Sequence, residues 1–206
     1  MKNDYMIRLE TIADYREVEN LTREAFWNIY RPGCLEHYVL HCYRGRADFV
    51  PELDLVMEKD GKIIGHVMYA RAAIMADDGR TIPMMTFGPI SIAPEYKGKG
   101  YGSILLRDSM DRAKKLHAGA LAITGNIGFY GKAVVVASTK DIHYYAEPRE
   151  NEVPYFLVKE LDDGFLDGIT GVYQEPEGYF VDEKEVEAFD AHFPPKEKLK
   201  LPGQLV

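Results

Sequence analysis

The stretch Ile90-Ser-Ile-Ala-Pro-Glu-Tyr-Lys-Gly-Lys-Gly-Tyr-Gly-Ser103 holds the residue types and spacing best suited to chemistry. It reads as strand, glycine-rich loop, helix. Gly98, Gly100 and Gly102 remove side chains that would hold the backbone away from a ligand. The N–H groups that open the following helix lack intrahelical partners, and with the helix dipole they favour an anion. Lys97 and Lys99 add positive charge to a chain that is acidic overall. The combination points to phosphate or pyrophosphate. A Walker A loop would end Gly-Lys-Ser/Thr, but here Gly102-Ser103 is followed by Ile104. A Rossmann fingerprint needs its last glycine one residue later, inside a parallel βαβ unit. The strands before this loop read instead as antiparallel hairpins.

A second constellation is Cys34, His37, His41 and Cys42. His37 and His41 would share a helix face, but Cys42 would point about 100° away from His41. Zinc sites usually take ligands from separate elements. Half-buried packing is the expectation, with no metal. Trp27, Tyr30 and Tyr38 are expected to pack the first two helices together. Tyr144 and Tyr145 fall on an expected loop, and His143 on the surface.

The elements that must position these residues follow from periodicity. Residues 5–11 read as a strand, and 14–27 as a helix with Val18, Leu21 and Ala25 on its inner face and Asp14 as N-cap. A second helix is expected from Leu35 to Tyr43. Strands are expected at 53–58 and 62–70 around an Asp60-Gly61 hairpin turn. A third strand, 81–92, follows Asp78-Gly79, and Pro89 suggests that it parts from a neighbour near its end. Residues 102–117 read as a helix burying Ile104, Leu105, Met110, Ala113 and Leu116, closed by Gly119. A strand at 120–124, a short helix at 126–132, strands at 133–137 and 155–161, and a helix at 182–193 complete the reading. This order argues for an α+β fold.

With 206 residues, 46% hydrophobic and 28% charged, the chain suits one compact domain with a small appendage. A net charge of −8 argues against a broad nucleic-acid surface. Two cysteines make no disulfide framework. The start MKNDYMIRLE lacks an apolar signal core, and no apolar run approaches the ~18–20 residues needed to span a bilayer. A cytoplasmic protein is expected.

The segment Lys97-Gly-Lys-Gly-Tyr-Gly102 resembles motif A of the GNAT (GCN5-related N-acetyltransferase) superfamily, Gln/Arg-x-x-Gly-x-Gly/Ala. Ile90-Ser-Ile-Ala-Pro94 is similar to that family's fourth strand, and Asn126-Ile-Gly-Phe-Tyr130 to its Asn…Phe-Tyr stretch after the fifth. The resemblance spans residues 5–161, with the flavour of the bacterial YhbS-like branch. Lys97 replaces the usual Gln or Arg. The usual Gly-Phe after the short helix is missing, since Lys132 is followed by Ala-Val-Val-Val.

The resemblance implies a GNAT fold, a mixed, mostly antiparallel sheet with splayed fourth and fifth strands flanked by helices. It implies a GNAT domain at 1–161, with 162–206 as an extension packed on the same domain. The implied cofactor is acetyl-CoA. Backbone groups of Ile90 and Ile92 would take the pantetheine, and Lys97, Gly98, Lys99, Gly100, Tyr101, Gly102 and Ser103 the pyrophosphate. Asn126 would contact the pantetheine arm, and Tyr130 would protonate the departing thiolate. The strand 81–92 carries no carboxylate, so a water relay is the default base, with Glu36 and Asp54 as weaker candidates and Glu95 in a solvated loop. The implied reaction is acetyl transfer to a primary amine of a small molecule by direct attack in a ternary complex. The alternatives are a protein or peptide N-acetyltransferase and a non-catalytic acyl-CoA-binding sensor. The implied partners are the amine acceptor and a second copy in a homodimer, with neither nucleic acid nor membrane.

Overall fold

The structure is a computed structural model that describes residues 4–125, 127–130 and 135–204. The elements run β1 (Met6–Leu9), α1 (Tyr15–Phe26), α2 (Glu36–Tyr43), β2 (Leu55–Lys59), β3 (Lys62–Ala76), β4 (Thr81–Ile92), α3 (Tyr101–Lys115), β5 (Ala120–Thr124) and α4 (Ile127–Tyr130). After these come β6 (Val135–Val136), β7 (Ile142–Tyr144), β8 (Phe156–Glu160), β9 (Gly171–Tyr173) and α5 (Glu183–Asp190). The strands follow the hydrogen-bonded order β1-β2-β3-β4-β5-β8-β6, with β9 on β3 and β7 on β9. β4–β5 and β7–β9 are parallel, while β1–β2, β2–β3, β3–β9, β5–β8 and β6–β8 are antiparallel. This is the α+β class expected from the order of elements, with the mixed sheet that the resemblance implies.

The chain divides into two compact units. The first comprises 1–68, 88–109 and 177–206. Here β2 and β3 turn at Asp60 (φ +51) and Gly61 (φ +73), the left-handed pair that a two-residue hairpin requires. α1 buries Val18, Leu21 and Ala25 as its spacing predicts. Asp14 does not cap it. Its carboxylate instead takes Arg8 at 2.7 and 2.9 Å and the Thr11 N–H at 2.8 Å, because a nearby guanidinium outbids a helix N–H for the same oxygens. Asp182 does cap α5, accepting from the N–H groups of Lys184 (2.8 Å) and Glu185 (3.3 Å).

The end of the chain is tied down within this unit. Arg23, with a side chain 1% exposed, grips Asp190 of α5 at 2.5 and 3.2 Å. The Trp27 indole N–H donates to the Glu197 carbonyl at 2.9 Å, and Arg23 lies over the Trp27 ring. Tyr38 packs on Phe189 and donates to Glu185 at 3.1 Å. Trp27 and Tyr38 thus serve the C-terminal segment, and Tyr30 packs on Phe26 at the end of α1, not between α1 and α2 as the sequence suggests. The cause is the apolar ring pair Phe189 and Phe193, which brings a third layer onto the two helices.

The second unit comprises 69–87 and 110–176. Its core gathers Ile74, Met84, Ala120, Ala122, Phe156, Val158 and Tyr173. β5 is buried along residues 120–123 and is flanked by β4 and β8. α3 ends at Lys115, two residues early. His117 takes the left-handed position (φ +61), and the Ala118 N–H returns to the Ala113 carbonyl at 3.1 Å. Leu116 therefore lies outside the helix and is 41% exposed, against expectation. Gly119 is needed for another reason, since a Cβ there would sit 2.2 Å from the Phe165 ring. β7 and β9, three residues each, carry too short a pattern to be read in sequence.

Candidate functional site: a glycine nest at the start of α3

In the first unit, β4 ends at Ile92 and one turn of 3₁₀ helix, Pro94–Tyr96, leads into the loop before α3. Gly98 (φ +74) and Gly100 (φ +88) flank Lys99 in left-handed backbone. A Cβ at either would meet no described atom within 4 Å, so dihedral freedom, not crowding, calls for glycine there. Left-handed residues alternating along a loop turn successive N–H groups to one side and form an anion-binding nest. The bond from the Ile104 N–H to the Gly100 carbonyl, 3.1 Å, opens α3, which leaves the N–H groups of Tyr101, Gly102 and Ser103 to the loop side. The first turn of α3 carries no acidic residue, so its dipole is not neutralised, while Arg112, Lys114 and Lys115 sit in its last turn.

The two lysines differ. Lys97 Nζ donates to the Ala25 carbonyl at the end of α1, 2.6 Å away, and burial lowers its pKa. It ties loop to helix. Lys99 lies over the Tyr96 ring at 5.3 Å. Tyr101 packs edge-on to Tyr96 and donates to Asp4 at 3.3 Å. Ile92 is buried and Ile90 half-buried. Gly65 of β3 lets β4 come close, for a Cβ there would stand 2.8 Å from Ile92 Cδ1 and 3.3 Å from the Ser91 carbonyl oxygen. The Ser91 hydroxyl, buried, donates to Thr22 of α1 at 2.9 Å.

In the second unit, β4 and β5 pair only at Met85–Leu121 and Thr86–Ala122, so the ladder stops three residues before Pro89. Tyr130, on α4, meets Phe87 edge-on at 5.8 Å. Its ring also lies against Gly125, where a Cβ would come within 2.6 Å of Cε2 and 3.3 Å of the hydroxyl. Gly125 is thus the seat of Tyr130. In the sequence its one signal is a glycine placed directly after an apolar strand. Asn126 and Lys132 lie outside the described residues. The structure therefore brings Ile90, Ile92 and residues 97–103 together in one unit and places Tyr130 in the other.

The remaining candidates have structural partners. Glu36 accepts from Leu35 N–H (3.0 Å) and Cys34 Sγ (3.2 Å). His41 meets Glu19 at 2.9 Å, and His37 Nε2 lies 3.2 Å from Asp190 Oδ1. Asp54 Oδ1 is 2.8 Å from His66 Nε2. Among the described residues, Glu10, Asp54 and His66 have ligand atoms within 4.8 Å of one another. Arg44, bonded to Glu10 at 2.7 and 3.0 Å, already supplies that cluster with a cation.

The glycine nest coincides with a wider match. Residues 17–134 match the model of the acetyltransferase (GNAT) family. The chain belongs to that family. A curated relative, the uncharacterized N-acetyltransferase YjhQ of Escherichia coli (strain K12), is 26% identical over 110 residues, covering 52% of this chain and 60% of YjhQ. The chain thus spans less than two thirds of that relative's length. Among solved structures, GNAT family N-acetyltransferase YhbS from Escherichia coli in complex with CoA gives a TM-score of 0.73 at 22% identity, covering 85% of this chain and 92% of that one. A GNAT family acetyltransferase from Brucella melitensis in complex with acetyl-CoA gives 0.68 at 20% identity, covering 85% and 98%. Both likenesses show the GNAT fold. No helix among the described residues is long and apolar enough to cross a membrane.

Proposed function

We propose that this chain is an acetyl-CoA-dependent N-acetyltransferase that acts on a primary amine of a small molecule. The observation that carries the reading is the loop 97–103. Two left-handed glycines, open space above them and an unneutralised helix start suit a diphosphate. Two fold neighbours were crystallised with CoA and acetyl-CoA, which agrees with that choice of anion.

When bound, acetyl-CoA supplies an activated acetyl group. The chain's own part is to hold the diphosphate on the N–H groups of 98–103 and to offer the β4 backbone at Ile90 and Ile92 to the pantetheine. By family resemblance Asn126 would meet that arm, and Tyr130 Oη would give its proton to the thiolate sulfur as the amine attacks. The choice of a small acceptor over a protein chain is supported by the segment 177–204, which covers α1 and α2 through Arg23, Trp27, Tyr38 and Asn28. By family resemblance that helix region would line part of the acceptor pocket.

The test is a titration with acetyl-CoA followed by a thioester-consumption screen over a broad amine panel. Stoichiometric binding, a raised melting temperature and consumption with at least one small amine are expected. Absence of both heat and melting shift at millimolar acetyl-CoA sinks the reading. Binding without consumption on any amine, peptides included, favours a sensor.

A further inference from the structure

The second unit contains a carboxylate that the fold leaves half provided for. Glu175 follows β9, and its Oε2 is buried with no hydrogen-bond partner among the described residues. The hydroxyls of Tyr144 and Thr124 face the carboxylate, and burial holds its pKa above the usual range. A buried oxygen without a donor is costly, and it calls for a partner such as a water or a ligand's donor.

The surroundings suit one kind of donor. Tyr144 meets Tyr145 edge-on at 5.1 Å and Tyr155 edge-on at 5.8 Å. Tyr145 and Tyr155 are 40% and 43% exposed, so their rings are open to a ligand from solvent. A second carboxylate, Glu147, accepts from the Tyr155 hydroxyl at 3.2 Å. The neighbouring Arg149 is neutralised by Asp77 at 2.6 and 2.8 Å and brings no net positive charge. Tyrosine faces and carboxylates together recognise an organic ammonium.

The position adds the functional link. Thr124, at the end of β5, lowers the pKa of Glu175 through its hydroxyl, against the larger effect of burial. The next residue, Gly125, donates its N–H to the Tyr155 carbonyl at 2.8 Å and seats the Tyr130 ring. Two consecutive residues thus tie the carboxylate, the tyrosine cluster and the tyrosine nominated as acid to one strand end.

We infer that Glu175, with Tyr144, Tyr145 and Tyr155 around it, binds the ammonium end of the acceptor, so that the acceptor class is a primary amine on an aromatic or aliphatic stem. This rests on the acetyltransferase reading for its role in turnover, but not for its ligand. The site binds the ammonium with or without a thioester present.

The test uses the full chain and 2-phenylethylamine as probe, with the uncharged 2-phenylethanol beside it. Isothermal titration without CoA should show the amine binding at least about tenfold tighter than the alcohol. Glu175→Gln should weaken the amine by about tenfold to a hundredfold and leave the alcohol unchanged, as loss of a charge-assisted hydrogen bond requires. Tyr145→Ala, at an open position, should weaken the amine by about two- to fivefold, the scale of an exposed cation–π contact. In the coupled assay Glu175→Gln should raise the amine KM and leave the acetyl-CoA Kd in place. Equal amine affinity in parent and Glu175→Gln, no preference for amine over alcohol, or no amine heat at millimolar probe overturns the inference. Glu175-dependent amine binding without acetyl transfer to any amine sinks the acetyltransferase reading and leaves this one standing. Transfer indifferent to Glu175→Gln does the reverse.

Discussion

Single residues carry the site through backbone conformation more than through charge. Gly100 at φ +88 must stay free of a β-branched side chain, whereas Lys97 spends its ammonium on the Ala25 carbonyl. Gly100→Val is therefore expected to abolish measurable acetyl-CoA binding, while Lys97→Ala weakens it by less than about tenfold, indirectly, through the loop's tie to α1. Equal losses in two folded variants, measured by titration, would show that the lysine charge dominates. Tyr130 makes a different forecast. As the acid it is needed only when charge develops on sulfur, so Tyr130→Phe should lower kcat towards the low end of the ~10²–10⁴-fold range and leave the acetyl-CoA Kd unchanged. Its ring contacts with Phe87 and Gly125 survive in phenylalanine. A kcat within about twofold of the parent would assign the ring to packing alone.

At the scale of elements, the question is what holds the C-terminal helix on α1 and α2. Two ion pairs do so with very different weight. Arg23 and Asp190 are 1% and 13% exposed, whereas Arg31 pairs with Glu183, which is 76% exposed. Removing one partner of a buried pair strands the other charge and costs about 3–5 kcal/mol. An exposed pair is screened and returns little. Asp190→Ala should thus lower the unfolding free energy by about 3–5 kcal/mol in denaturant titration, with Glu183→Ala close to the parent. Similar losses for the two would mean that the helix is held by Phe189 and Phe193 and not by Arg23.

Across the whole molecule, buried titratable groups set how stability varies with pH. His37 and His66 are fully buried, and burial holds each near pKa 4, below the ordinary 6.5. The groups facing them are Asp190, Arg23 and Arg16 for His37, and Asp54, Glu10 and Arg44 for His66. A depressed histidine disfavours protonation in the native state, so its stabilising effect is complete above about pH 6.5 and is lost as pH falls towards 4. Glu10 moves oppositely: burial beside Asp54 pushes it up to about 8. The native state then keeps the proton that the unfolded chain releases, and this contribution declines as pH rises from 4.5 to about 8; below 6.5 the two histidines outweigh it, and above 6.5 it acts alone. The expected result is a melting temperature that peaks near pH 6.5, with Glu10→Gln flattening the alkaline limb and His66→Gln part of the acid limb. A flat profile between pH 6.5 and 8 would contradict the Glu10 assignment.

By itself the amino-acid sequence determined what depends on local chemistry. The Asp60-Gly61 turn, the extent of β4 and β5 and the Gly98–Gly100 glycine loop are all legible there, because turn dihedrals and strand patterning are properties of a few adjacent residues. The tertiary structure alone decided which partner each group took. Asp14 went to Arg8, Lys97 to the Ala25 carbonyl, Gly119 to the Phe165 ring and Gly125 to Tyr130. Glu175 was invisible in an acidic, glycine- and proline-rich stretch and acquired meaning only when β9 carried it to the end of β5. The physical reason is range. A dihedral preference acts within a turn, whereas burial, ion pairing and close approach join residues tens of positions apart, and no local pattern records which of them will meet.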